Sequence, residues 1–351
     1  MSCLEDRSQW KKISGFIPNS PACNPSGIAF DAIGDLYIAD GGDAARIWKV
    51  IPDPSGCVSD DSSSPVCAGV AGSSASSPTA PFASGVPGTN GLAFDKSGNL
   101  WTGDGTTGLG RVWKITGPGA NCATSINCVE VFRIQPMNNS ISFQGDVPDP
   151  GVGRINATIQ PGAANNPQNL VANGLAFNQA GDLFVADTAR GALWRVKFNS
   201  DGTLQSHLSC DETFHPNTLC LNHIFTADPR LEGVDGIALD QNGNVWGSAN
   251  ERNAIVIFGT GVSAEVFRNP VKPITGLRNF SATDNAKILE FPTSPFLLGN
   301  LFCTANSDGN RRDNSPNSDG EVNSSGPVGA RGKISCMDQP LTSPGLPLPI
   351  Q

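Results

Sequence analysis

The chain has 351 residues, a net charge of −9 and only 16% charged residues, with 40 Gly and 27 Pro. An acidic balance with no Lys/Arg cluster beyond Arg311-Arg312 argues against a nucleic-acid partner, which needs a basic face. Abundant turn residues argue against long helices, and no apolar run is long enough to span a bilayer. Residues 1–6 carry no signal-peptide core, so an exported form is expected to have lost its leader, with an initiator in its place. Residues 9–13 (QWKKI) read as an outer strand that closes the last repeat. The first repeat is SGIAFDAIGDLYIAD from Ser26, and NGLAFDKSGNLWTGD follows from Asn90. NGLAFNQAGDLFVAD starts at Asn173 and DGIALDQNGNVWGSA at Asp235, while a degenerate copy ends in GNLFCTAN at residues 299–306. Each copy is followed by an apolar strand, at residues 46–50, 111–115, 192–196, 254–258 and 333–337.

One unit is therefore a short apolar strand, a Gly-Asx turn, a second strand, a turn opened by Asp40, Asp104 or Asp187, and a third strand. Glycine and its Asx neighbour tolerate the positive φ of tight hairpins. Outer strands at 129–134 and 264–267 fit a fourth position. Four antiparallel strands per unit, repeated without helical periodicity, make an all-β fold, a β-propeller formed as a single domain over residues 1–351. Five blades are readable, and six are expected. The long interval between Asn90 and Asn173, or residues 267–291, leaves room for the sixth. Three stretches rich in Pro, Gly, Ser and Asn, at 52–88, 135–170 and 306–330, read as loop excursions.

Ten cysteines fall into five local pairs: 3/23, 57/67, 122/128, 210/220 and 303/336. An even count without C-x-x-C reads as disulfides, hence a secreted, periplasmic or extracellular protein. Sequons at Asn138, Asn156, Asn279 and Asn323 agree with export from a eukaryotic source.

These repeats resemble those of the SMP-30/gluconolactonase/LRE-like superfamily and the related NHL propellers. That grouping also takes in calcium-dependent phosphotriesterases and, more distantly, strictosidine synthase. The resemblance covers roughly residues 24–340 and rests on NGLAFD at Asn90, NGLAF at Asn173 and DGIALD at Asp235. It implies a central channel where residues just before the inner strands' glycines, a Glu, two Asn and an Asp, hold a divalent ion. Asn90, Asn173 and Asp235 match three of these positions, and Ser26 stands where the family has Glu. Independently of the resemblance, amide carbonyls and one carboxylate are hard oxygen ligands suited to Ca²⁺ or another hard divalent cation. Such an ion with open positions polarises a lactone or ester carbonyl, and Asp235 is the candidate catalytic base or, as the resemblance implies, the nucleophile.

The expected function is a metal-dependent hydrolase of a lactone or related ester, acting as a monomer on a small molecule in the channel. Two alternatives stand beside it. One is a non-catalytic NHL-like propeller that grips a glycan or protein at its rim. The other is a metal-free, strictosidine-synthase-like lyase or condensing enzyme. An Asn or Asp before a strand glycine also serves simply to bond the neighbouring backbone.

Other residues carry weaker signals. His207, His215 and His223 are evenly spaced loop histidines, and Glu232 is a second carboxylate near Asp235. Asp40, Asp104 and Asp187, with Asn250 and Asn306 read at the same place, recur as hairpin residues, and Trp48, Trp113 and Trp194 as inter-blade packing. The glycine-rich run 105–110 opens no helix and so lacks a phosphate cradle.

Overall fold

The repeat folds as its turns dictate. Glycines 34, 98, 181 and 243 take φ of 92°, 79°, 91° and 79°, the left-handed region where a Cβ is penalised. An Asx residue three positions earlier closes each turn. Asp31 Oδ1 accepts the N–H groups of Ile33 and Asp35, Asp95 Oδ1 those of Ser97 and Asn99, and Asp240 Oδ1 those of Asn242 and Asn244. The second carboxylate oxygen of the same residue then takes the polar tip of an aromatic on the next strand. Tyr37 Oη (3.2 Å), Trp101 Nε1 (2.9 Å) and Trp246 Nε1 (3.1 Å) are the donors. One carboxylate thus sets the turn and fixes the ring that follows it.

The computed structural model describes residues 25–40, 45–50, 81–134, 170–205, 217–219, 221–231, 233–250, 254–268, 289, 292–298, 301–306, 333–338 and 345. Residues 9–13 and most of the three loop excursions lie outside them. The chain divides into two compact units, residues 1–107, 111–132 and 348–351 in one and residues 108–110 and 133–347 in the other.

In the first unit, blade 1 comprises Pro25–Phe30, Leu36–Asp40, Arg46–Val50 and Ala83–Ser84, with Ala120–Asn121 added in parallel. Blade 2 comprises Thr89–Phe94, Leu100–Asp104, Arg111–Ile115 and Cys128–Ile134, the last strand's final two residues belonging to the second unit. In the second unit, blade 3 is Ala172–Phe177, Leu183–Asp187, Ala192–Val196 and Ile224–Ala227. Blade 4 is Val234–Leu239, Val245–Ala249, Ala254–Gly259 and Val262–Arg268, and blade 5 shows Pro292–Leu298, Leu301–Asn306 and Lys333–Asp338. Apart from the short parallel additions, pairing is antiparallel throughout.

The all-β, propeller-blade reading holds, but the count is corrected: five blades, not six, are present among the described residues. Each starts at one of the five Gly-Asx repeats. Among the described residues no further hairpin of this kind is present. The excursion expected at 52–88 also ends early, because Ala83 pairs with Ile47 as the outer strand of blade 1. No helix among the described residues is long and apolar enough to cross a membrane.

Second strands are buried along their whole length in blades 1 to 4. Tyr37, Ile47, Phe82, Leu100 and Trp113 form the core of the first unit. Trp246, Ile255, Leu297 and Phe302 join blades 4 and 5 in the second, with the Trp246 and Phe302 rings 5.5 Å apart. Neighbouring blades approach closest at the glycine of the inner strand. A Cβ on Gly27 would strike the carbonyl oxygen of Asn90, on Gly174 that of Asp235, and on Gly236 that of Thr293. The glycine of NGLAF is thus an inter-blade contact, whereas that of the turn is a dihedral requirement. The two kinds separate by substitution. Gly236→Ala is expected to cost about 3 kcal/mol through overpacking against fixed backbone. Gly243→Asn, with nothing within 4 Å of a new Cβ, should stay within about 1 kcal/mol because Asn tolerates the left-handed region. Urea denaturation midpoints measure both; equal losses would refute the distinction.

Candidate functional site

The residue before each of these glycines lies at a break in register. Pairing of the inner and second strands is irregular between Pro25 and Gly27, Thr89 and Leu92, Ala172 and Leu175, Val234 and Ile237, and Pro292 and Pro295. A local bulge kinks a strand and re-aims a side chain. Ser26, Asn90, Asn173, Asp235 and Thr293 therefore occupy one repeat position, carrying a different polar group in each setting.

In the first unit these groups are engaged locally. Ser26 Oγ donates to the carbonyl of Thr89 at 3.1 Å, tying blade 1 to blade 2. Asn90 lies over Gly105, where an added Cβ would collide with its amide. In the second unit the structure brings Asn173 and Asp235 together. The Asn173 side chain hydrogen-bonds the Asp235 carboxylate, and its Nδ2 also donates to Thr188 Oγ1 at 3.0 Å. Thr188 Oγ1 donates in turn to the Val234 carbonyl at 2.6 Å, binding blade 3 to blade 4 beside the carboxylate.

Asp235 has a further partner. Asn250 Nδ2 donates to its Oδ2 at 3.2 Å. The sequence reading placed Asn250 with the hairpin residues Asp40, Asp104 and Asp187, but Ala249 is the residue paired with Val234, as Asp187 is with Ala172. Asn250 lies one step on, level with Thr188 and Gly105. The offset of fourteen from Asn173 to Asp187 leads from Asp235 to Ala249, which would have shown this. Asn250 is 5% exposed, and its Oδ1 has no hydrogen-bond partner among the described residues. An unsatisfied buried acceptor costs about 1–3 kcal/mol, a cost that persists in native structures mainly where something else is served.

The hairpin role assigned to the aspartates is seen directly in two blades. Asp104 accepts the Thr107 N–H at 2.9 Å and Arg111 Nε at 3.0 Å. Asp187 accepts Arg190 Nε at 2.6 Å and Trp194 Nε1 at 3.1 Å. Trp48 and Trp194 are fully buried, and Trp113 belongs to the core joining blades 1 and 2. Residues 105–110 connect two strands. His223 Nε2 lies 3.4 Å from the Gln205 carbonyl, while His207, His215 and Glu232 lie outside the described residues. Cys122–Cys128 and Cys303–Cys336 are disulfides, both pairings read from the sequence. The remaining cysteines are outside the described residues.

Charge at the site is set by burial. Asp235 is only partly accessible, and desolvation pushes its carboxyl up to about 7, against the opposing hydrogen bonds from Asn250 and Asn173. A group near neutrality in such surroundings is what a general base requires. A hard divalent cation fits the donor set: one carboxylate, and beside it a buried amide oxygen lacking a partner. Among the described residues no three His, Cys, Asp or Glu side chains gather into a metal cluster. A cation here would accordingly be held largely by neutral amide oxygens.

Residues 149–278 match the family model of the SMP-30/Gluconolactonase/LRE-like region. That region spans all of blades 3 and 4, and so Asn173, Asp235 and Asn250. The resemblance read from the repeats is thereby shown over it. No curated protein matches the chain by sequence. Among solved structures, similar chains include a calcium-binding protein, regucalcin, from Agrobacterium tumefaciens str. C58 (13% identity, 93% of this chain and 79% of that one, TM-score 0.45). A luciferin-regenerating enzyme shows 14% identity over 93% and 95% of the two chains, with a TM-score of 0.44. A gluconolactonase from Xanthomonas campestris shows 13% over 81% and 69%, with a TM-score of 0.38. At these scores none of them bears on what this chain binds.

The raised Asp235 pKa has a consequence for folding. Between the ordinary carboxyl value and about 7, the folded state keeps a proton that the unfolded state has lost. The contribution to stability is therefore full below about pH 4 and falls as pH rises to about 7. Asp235→Asn should remove this slope and match or exceed the wild type in stability at pH 7 and above. Denaturation midpoints of the two proteins from pH 4 to pH 8 test it; parallel curves would show that Asp235 ionises normally.

Proposed function

We propose that the protein is a hydrolase of lactones or related esters, with a hard divalent cation, Ca²⁺ in the first instance, at Asp235 and Asn173. The observation that carries this reading is the desolvated Asp235 carboxyl held between the Asn173 and Asn250 amides. Asn90 stands at the same repeat position in blade 2. When bound, the ion acts as a Lewis acid that polarises a substrate carbonyl. The protein's own contribution is orientation and proton transfer. Asn173 and Asn250 fix the plane of the carboxylate through their amide hydrogens. Asp235 takes the proton of an attacking water and returns it to the leaving alkoxide as the ester bond breaks. The Thr188 tie to Val234 holds the strand carrying Asp235 in register with its neighbour.

The disulfides Cys122–Cys128 and Cys303–Cys336 support export to an oxidising compartment. One observation favours the non-catalytic alternative. The Asn173 amide is used in a structural chain through Thr188 to the next blade, as a binding propeller would use it.

Turnover of a panel of γ- and δ-lactones and simple esters, with and without chelator and Ca²⁺, distinguishes the two. The hydrolase reading expects cation-dependent turnover that falls by about 10²–10⁴-fold in Asp235→Ala. Absence of both turnover and Ca²⁺ binding in a folded protein would leave the binding propeller as the better account.

A further inference from the structure

Resting on the cation reading above, we infer that Asn250 is itself a cation ligand, supplying its Oδ1 beside the Asp235 carboxylate. The residue is firmly placed. It is 5% exposed, its backbone N–H donates to the Gly233 carbonyl at 2.9 Å, and its Nδ2 donates to Asp235 Oδ2 at 3.2 Å. Its Oδ1 is buried and has no partner among the described residues. With Nδ2 on the carboxylate, Oδ1 lies one amide width away, and a half-turn about the Cβ–Cγ bond exchanges the two. Either setting keeps this oxygen next to Asp235. Two oxygens side by side in a desolvated place repel unless a proton or a cation lies between them, and amide oxygens are ordinary ligands of Ca²⁺.

Comparison between blades separates this role from a structural one. The same position in blade 2 is Gly105, which has no side chain to offer, and the Asn90 amide lies against it. In blade 3 it is Thr188, whose hydroxyl accepts from Asn173 at 3.0 Å and donates to the Val234 carbonyl at 2.6 Å. That residue is a saturated inter-blade tie. Asn250 makes half of such a tie and leaves its acceptor open, in the blade that carries the carboxylate. Open buried polar atoms also occur at Trp48, Trp113 and Asp187; what sets Asn250 apart is that its open acceptor adjoins the Asp235 carboxylate.

The test uses the intact chain, Ca²⁺ by calorimetry, and Eu³⁺ luminescence lifetimes in H₂O and D₂O, which count waters on the ion. Asn250→Ala is expected to weaken Ca²⁺ binding on the order of tenfold and to add about one water to bound Eu³⁺, whereas Asn250→Asp tightens Ca²⁺ by added charge. Melting without cation identifies variants that fail to fold, and Asn250→Asp, close to isosteric, carries the test if the alanine variant is one of them. Unchanged affinity and hydration in Asn250→Ala, or weakened Ca²⁺ binding in a folded Asn250→Asp, overturns the ligand role and leaves the Asp235 site standing. Wild type that binds neither ion, indistinguishable from Asp235→Ala, overturns the cation reading and this inference together.

Discussion

The contact on which the rest of the architecture depends is a backbone carbonyl lying on a glycine. Where the Asp235 carbonyl meets Gly174, and that of Thr293 meets Gly236, neighbouring inner strands come closer than any side chain would permit. The residue before each of these glycines is therefore carried to a fixed place beside its equivalent in the next blade. Asn173 and Asp235 meet for this reason. The polar row is a by-product of how blades stack, and each blade can change one side chain in it without disturbing the stacking.

The register break at the same place completes the effect. A regular ladder would send alternate residues to opposite faces of the sheet, where covering blades would enclose them. The irregularity between Val234 and Ile237 interrupts that alternation at Asp235. Desolvation there raises the pKa of its carboxyl. The neutral amides around it lower its pKa only in part, because dipoles offset desolvation less well than a full positive charge would.

Much of the fold was legible because the inner hairpin is set by local chemistry. Gly34, Gly98, Gly181 and Gly243 required left-handed backbone and have it. The strands after Asp40, Asp104 and Asp187 follow from short turns. Outer strands were legible only where they were long and apolar, as at Val262–Arg268. Ala83–Ser84 is two residues inside a Ser/Pro-rich stretch, and its pairing with Ile47 depends on a long-range contact that no local pattern signals. The expected sixth blade came from interval lengths, and length alone does not specify a hairpin. The Asp31, Asp95 and Asp240 clamps on Tyr37, Trp101 and Trp246 were present as an Asp-to-aromatic spacing of six, but that spacing has no meaning until the turn folds back.

The site was less legible than the fold, and position 250 shows why. Recurrence identifies what every blade needs: a hairpin aspartate, a turn glycine, a packed aromatic. It cannot identify what one blade does alone. Gly105, Thr188 and Asn250 share a backbone position, yet one is empty, one is saturated and one is left with an open acceptor. Reading Asn250 as another copy of the hairpin residue erased that difference, because Asn resembles Asp in composition while lying one residue out of phase. In a protein built from repeats, chemistry is to be sought where a blade departs from its neighbours at constant backbone. Blade 4 departs twice, with a carboxylate at 235 and an unsatisfied amide at 250, and the two departures touch.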